Sequence, residues 1–262
     1  MTLINEANNP KALAGVRVMV TRPAPYGAGL QSLLRDAGAE CHWQPLQEIQ
    51  SFEPGDDQYP LAKSYILDLD LYAKVIVVSR SAASALIEWI DYYWPQLPLG
   101  ICWISIGKGT AEVLASAGID AISADGENSE ALLSLPALED VTHERILRVG
   151  GVGGRTTLAD TLKSRGARVD CADLYQRTNI DWTPDQLRLV REQNVIMITS
   201  GEALLHLTAQ LGGPLTMPII VPGERVARMA RDLHWPQVVT SNSASDGAML
   251  ACLIQWRADA SC

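Results

Sequence analysis

The chain holds one phenylalanine, four histidines and five cysteines in 262 residues, and each scarcity excludes something. With a single Phe, aliphatic side chains have to fill most of the interior. The cysteines are Cys41, Cys102, Cys171, Cys252 and Cys262. They are odd in number and far apart, so neither a disulfide framework nor a zinc-ligand pattern is present. Reduced thiols in a cytosolic protein are the plain expectation. The histidines, His42, His143, His206 and His234, stand in no H-x-E or H-E-x-x-H setting, and Gly-x-Ser-x-Gly is missing. A metal site and a serine triad are both disfavoured. The apolar stretches, such as VIVV at 75–78, are far too short to span a bilayer. The opening residues MTLINEANNPKALAG carry Glu6 and no apolar core, unlike a signal peptide. A cytoplasmic protein is expected.

Positive charge is also scarce. Lys and Arg number 21 against 30 Asp and Glu, for a net charge of −9 and a pI of about 4.9. Such a chain is a poor general binder of nucleic acid. An anionic ligand has to be held by a local positive field set against the global one. Apolar residues at 47% with 19% charged still describe a globular protein, and the length suits one large domain or two small ones.

Short β-branched runs alternate with helical patterns. Strands are expected over 17–21, 74–78, 102–106, 145–149, 195–199, 217–221 and 237–240, and helices over 27–37, 81–91, 110–117, 156–164, 202–211, 224–233 and 245–256. Another helix starts at Thr183, with Pro184 in its first turn and Gln186 completing a capping box. Near-continuous apolar strands in alternation with helices mean parallel sheets covered on both faces. The segments 41–51 and 168–178 both look extended.

The chain also resembles itself. Residues 17–48 lie over 145–176 without a gap: Arg17 meets Arg145, Leu30 meets Leu158, Gly38 meets Gly166 and Leu46 meets Leu174. More loosely, 77–86 and 104–118 parallel 198–207 and 219–233. Two similar domains from an old duplication are expected. The extended segments, 43–51 and 168–178, would pair as an antiparallel hinge ladder. One domain would then be 1–42 plus 179–262, and the other an inserted 52–167.

Candidate ligand residues gather at strand-to-helix joins, where open α/β sheets bind ligands. Thr21 and Arg22 end the first strand before Pro23; Arg22 offers a fork for carboxylates or is a solvated surface arginine. Arg148, Gly150, Gly151 and Arg155 belong to R-V-G-G-V-G-G-R, read as an anion cradle of backbone amides flanked by two arginines. It is neither a Walker loop nor G-x-G-x-x-G. Gly107 and Thr110 form a second glycine turn, for a ligand or for the helix cap. Ser79, Arg80 and Ser81, and likewise Thr199, Ser200 and Gly201, offer hydroxyls and amides to a carboxylate or cap their helices. Asp68 and Asp70 read as a solvated loop. His206 lies among leucines and reads as structural. Tyr175 falls in an extended segment, as a neutral proton donor or a buried amphipathic ring.

In order, V-T-R-P (20–23), P-L-x-x-I (45–49), V-S-x-x-A-A (78–83), I-G-x-x-T-A-x-x-L-x-x-x-G (106–118), S-E-x-L-L (129–133), R-x-G-G-x-G-G-R-x-x-L (148–158), R-G-A-x-V (165–169), L-Y-x-R (174–177) and T-S-G (199–201) resemble the uroporphyrinogen-III synthase family over nearly the whole chain. The resemblance implies two flavodoxin-like α/β domains joined by a two-stranded ladder, with hydroxymethylbilane bound between them. It implies a monomeric lyase without metal or organic cofactor, and a transient contact with hydroxymethylbilane synthase. The family's important tyrosine maps to Tyr175 and one threonine to Thr110; a second threonine is replaced here by Val226. A two-domain binding protein without chemistry, and a nucleotide-dependent enzyme using 107–110 or 150–155, are the rival readings. Nothing resembles a separate methyltransferase domain.

Overall fold

The computed structural model describes residues 12–259 apart from Pro25, Asp125, Glu127, Gly154 and Arg155. The readings made for residues 1–11, Gly154, Arg155 and Cys262 lie outside the described residues. The chain separates into two compact units, Met1–Glu48 with Thr178–Cys262, and Ile49–Arg177.

Unit 1 is built on β1 (Arg17–Val20), β2 (Glu40–Trp43), β9 (Val195–Met197), β10 (Ile219–Pro222) and β11 (Val238–Ser241), in the order β11-β10-β9-β1-β2. The pairings recorded between these strands are parallel. Read from the other edge, the order is 2-1-3-4-5, the flavodoxin-like winding. Alternate residues face opposite ways. Val18 and Val20 pack with Leu30 and Leu34 of α1 (Ala28–Asp36) and with Met249 and Leu253 of α10 (Asp246–Asp259). Met19 and Ile196 turn to the other face. There they meet Val190 of α7 (Pro184–Arg191), Leu204 of α8 (Gly201–Leu211) and Ala227 of α9 (Gly223–Asp232). The capping box at the start of α7 is made: the Thr183 hydroxyl accepts from the Gln186 amide, and the Thr183 amide donates to the Gln186 side chain.

Unit 2 holds β4 (Lys74–Val77), β5 (Cys102–Ser105), β6 (Ile122–Ser123), β7 (Arg145–Gly151) and β8 (Arg168–Asn179), in the order β8-β7-β4-β5-β6. This is the same 2-1-3-4-5 winding once β7 and β8 are counted first. Val75, Leu147 and Val149 face α3 (Arg80–Tyr93) and α4 (Lys108–Ser116). Ile76 and Ile146 face α5 (Ser129–Leu133) and α6 (Thr157–Ser164). β3 (Gln47–Ser51) edges this sheet beside β8. The Phe52 amide donates to the Leu174 carbonyl and the Ile180 amide to the Leu46 carbonyl, so numbers rise along one strand as they fall along the other: the pair is antiparallel.

The internal repeat is visible in the backbone. Arg17 faces Glu40 across β1 and β2, and Arg145 faces Arg168 across β7 and β8, in the same register. Gly38 and Gly166 both sit at φ 90 after their helices, a conformation that favours glycine. The amides of Ala39 and Ala167 close the same turn onto Leu34 and Leu162.

Two expectations need correction. The segment 41–51 is not one extended piece. Its start, β2, runs parallel to β1, and only β3 joins β8; Pro45, which has no N–H to donate, lies at the break. The stretch around Asp68 and Asp70 is not a solvated loop. α2 (Tyr59–Leu67) precedes it, a 3-10 turn spans Leu69–Leu71, and Asp68 accepts from Arg145 at 3.5 Å. The helix was hard to read because it has no side-chain cap and is apolar on most sides.

Candidate active site

In a 2-1-3-4-5 sheet, ligands settle at the carboxyl ends of the strands where the winding reverses. In unit 2 that point lies between β7 and β4. A pocket of about 260 Å³ opens there, lined by Val78, Ser79, Ile106, Asn128, Ser129, Arg148, Gly151, Leu158, Tyr175 and Arg177.

Tyr175 is 2% exposed. Its hydroxyl lies 3.1 Å from the Ser79 hydroxyl, and Arg177 Nη2 donates to it at 3.4 Å. The Arg177 guanidinium also stands 5.8 Å from the centre of the ring. Ser79 begins α3 and accepts the Ala82 amide at 3.0 Å. Its own proton is thereby available to the phenol oxygen. Either hydroxyl of the Ser79–Tyr175 pair can be the donor; in the arrangement where Ser79 donates, as Arg177 does, the phenol proton is left free for a ligand in the pocket.

Part of the glycine-rich run lies tight against neighbouring side chains. β7 continues through Gly151, with a register shift between Gly150 and Gly151. A Cβ on Gly151 would lie 2.5 Å from the Tyr175 ring, and one on Gly150 would lie 2.2 Å from Arg148 Nη1. These two glycines make room for neighbouring side chains. Gly153, at φ 81, makes the turn that follows, and Arg155 lies outside the described residues. Arg148 is nearly buried and faces Asp173 at 3.0 Å.

The other expected residues are more dispersed. Arg80 is exposed at the start of α3, while Ser81 is buried behind it. Gly107 precedes α4 without a side-chain cap, and Thr110 is buried in the first turn. None of the four lines the pocket. In unit 1, the Thr21 hydroxyl donates to the Met197 carbonyl at 2.9 Å. Arg22 is neither solvated nor open: it is buried and held by Asp246 and the Ala244 carbonyl, because Asp246 begins α10 beside the end of β1. Ser200 caps α8 by accepting the Ala203 amide at 3.1 Å, with Thr199 half-buried before it. Gly201 leaves space for Met229, whose methyl would lie 2.8 Å from a Cβ there. His206 bonds the Ile180 carbonyl at 3.0 Å, and Val226 is buried in the core.

Arg177, Asn128 and Ser129 line the pocket without having been singled out. For Arg177 a signal existed. Residues two apart on a strand share a face, so the R of L-Y-x-R had to accompany the Tyr.

The fold and this pocket define a class: a two-unit doubly wound α/β protein whose second unit carries, at the switch point of its sheet, a pocket lined by a tyrosine and two arginines. Residues 28–251 match the sequence model of the family described as uroporphyrinogen-III synthase HemD. The chain is 33% identical over 250 residues to the uroporphyrinogen-III synthase of Escherichia coli K12, covering 90% of this chain and 99% of that protein. The Salmonella typhimurium LT2 enzyme of the same name is 32% identical over 249 residues, with the same coverage. The chain belongs to the uroporphyrinogen-III synthase family. In fold it resembles a mutant uroporphyrinogen III synthase of the extreme thermophile Thermus thermophilus, with a TM-score of 0.62 at 15% identity over 94% of this chain and all of that one. The Helicobacter pylori 26695 uroporphyrinogen-III synthetase gives 0.59 at 14% identity, over 92% of this chain and 99% of that one. Among the described residues, no helix is long and apolar enough to cross a membrane and no cluster of His, Cys, Asp and Glu could hold a metal ion.

Proposed function

We propose that this chain is a lyase that closes hydroxymethylbilane to uroporphyrinogen III, on the route to haem, sirohaem and cobalamin, as a monomer in the cytoplasm. The observation that carries the reading is the buried phenol of Tyr175, held by Ser79 and Arg177 in a pocket of this family's fold. The substrate's terminal hydroxyl leaves with a proton as water, and the phenol is placed to supply that proton. A pyrrole nitrogen provides the electron pair, giving an azafulvene. Ring D attacks through its substituted α-carbon to form a spiro intermediate. Fragmentation and reclosure invert the ring, and the proton shed on rearomatisation restores the balance. No redox change occurs, so the chemistry itself calls for no electron carrier.

The same bilane closes unaided to the symmetrical type I isomer, so the enzyme's task is mainly to position ring D. The pocket has room for one substituted pyrrole rather than four, which suits a site for a single ring. Arg148 and Arg177 supply positive charge there within an acidic protein. The test is to incubate the purified protein with enzymatically made hydroxymethylbilane, oxidise the products and separate the isomers. Type III is expected; type I alone overturns the proposal.

A further inference from the structure

Among the described residues of unit 2, two buried side-chain atoms make no hydrogen bond: Nη1 of Arg148 and Oδ1 of Asp173. They lie 3.0 Å apart, so the charges attract while the N–H vectors miss the oxygen. A well-formed arginine–carboxylate pair is a fork of two parallel bonds, and buried polar atoms are nearly always bonded. Burial of an ion pair costs desolvation that only good geometry offsets. A misaligned pair is a poor structural fastener.

Its surroundings give it another use. Gly150 faces Asp173 across β7 and β8. Arg148 comes so close to Gly150 that a Cβ there would lie 2.2 Å from Nη1. Arg148 lines the pocket that holds Tyr175, and Asp173 does not. The arginine therefore has an acid behind it and a ligand space in front.

The geometry points to a carboxylate exchange, in which Asp173 is the resident counter-ion of Arg148 and a carboxylate arm of the ligand takes its place. The inference rests on the proposed function, whose substrate carries eight carboxylates. No covalent bond changes: one ion pair opens and a better-aligned one forms. Asp173 becomes a specificity-determining residue, because affinity is then the difference between two salt bridges. A ligand able to form the fork displaces Asp173, and an uncharged analogue cannot.

The probe is uroporphyrin III, the oxidised octacarboxylate, with its octamethyl ester as the uncharged control, titrated by fluorescence quenching. Asp173→Asn leaves Arg148 without its competitor and is expected to bind the octacarboxylate about 10-fold tighter, with the ester unchanged. The double variant Arg148→Met with Asp173→Leu removes both charges and strands neither in the interior, and its thermal unfolding curve is recorded beside the titration. It is expected to bind the octacarboxylate about 10-fold more weakly than wild type. Wild-type affinity in the double variant overturns the exchange, and so does an Asp173→Asn protein that binds no tighter. Should Asp173→Asn fail to fold, the double variant alone decides. Type I product alone from wild type removes the proposed function, while the binding comparison still reads the exchange. Type III product with unchanged affinities removes the exchange and leaves the function.

Discussion

The two units carry the same corner, filled differently. In unit 2, the serine that caps α3 meets Tyr175 on β8: their hydroxyls are 3.1 Å apart. In unit 1, the serine that caps α8 donates to Gln47 at 3.3 Å. Ser79 and Ser200 correspond in the looser repeat. Tyr175 and Gln47 correspond in the ungapped one, whose register the strands reproduce. Gln47 is buried, and its amide also donates to Asn179 at 3.1 Å. The phenol lines a pocket next to two arginines, whereas the amide closes a local clasp. The scaffold occurs twice, and one residue difference on it decides which copy carries a phenol at this corner.

The largest expected effect separates these two residues. Tyr175→Phe keeps the ring packed beneath Gly151 and loses only the hydroxyl, so turnover falls by about 100-fold with folding intact. Gln47→Leu costs about 1 kcal/mol of stability by removing the acceptor of the Ser200 hydroxyl and the donor to Asn179, and turnover stays near wild type. Steady-state rates beside thermal unfolding curves check both; equal losses of turnover would erase the distinction.

Gly151→Ala comes next. Its methyl would press on the Tyr175 ring at 2.5 Å, so about 1–3 kcal/mol of stability is lost and turnover falls with the displaced phenol. The cap serines sharpen the comparison further. Ser79→Ala and Ser200→Ala each lose about 1 kcal/mol, the usual worth of a cap. Only Ser79→Ala should also lower kcat, because only that hydroxyl touches the phenol. Matching kinetics in the pair would mean that both serines are caps and nothing more.

The smallest effect lies at the opposite ends of the strands. In unit 2, the Tyr72 hydroxyl donates to Asp170 at 3.0 Å and Arg145 donates to the same carboxylate at 3.1 Å. In unit 1, the amide of Arg17, at the position of Arg145, donates to Asn194 Oδ1, and His42, at that of Asp170, meets Gln193. Burial, then the bond to Asp170, pushes the Tyr72 phenol above its ordinary value of 10.0. The unfolded chain therefore ionises first, and stability that is full below pH 10 is lost as pH rises beyond it. Unfolding scans from pH 8 to 11 should show a smaller alkaline loss in Tyr72→Phe; identical slopes would exclude this contribution.

Much of this fold is legible in the sequence because it is local. Continuous apolar strands, helices begun by Ser or Thr, and a gapless repeat mark the two windings. Ser79 is legible too, as a strand-end residue before a helix, and Tyr175 as the phenol of an extended segment. Three features are not. Arg22 is tied down by Asp246, more than two hundred residues away, and no local pattern announces such a partner. Gly150 and Gly151 read as an anion cradle because their real neighbours, Arg148 and Tyr175, reach them only through the path of a side chain and the irregular pairing of β7 with β8. α2 has neither cap nor polar face to mark it. Local chemistry reads from sequence; tertiary contacts that reuse the same residue types do not.

The most direct measurement is the isomer ratio of the products, taken side by side from Tyr175→Phe and Gln47→Leu at equal protein concentration. With the chemistry in unit 2, Gln47→Leu gives type III as wild type does. Tyr175→Phe lets spontaneous closure overtake it, so that type I rises. Type III persisting in Tyr175→Phe while Gln47→Leu drifts to type I contradicts the account.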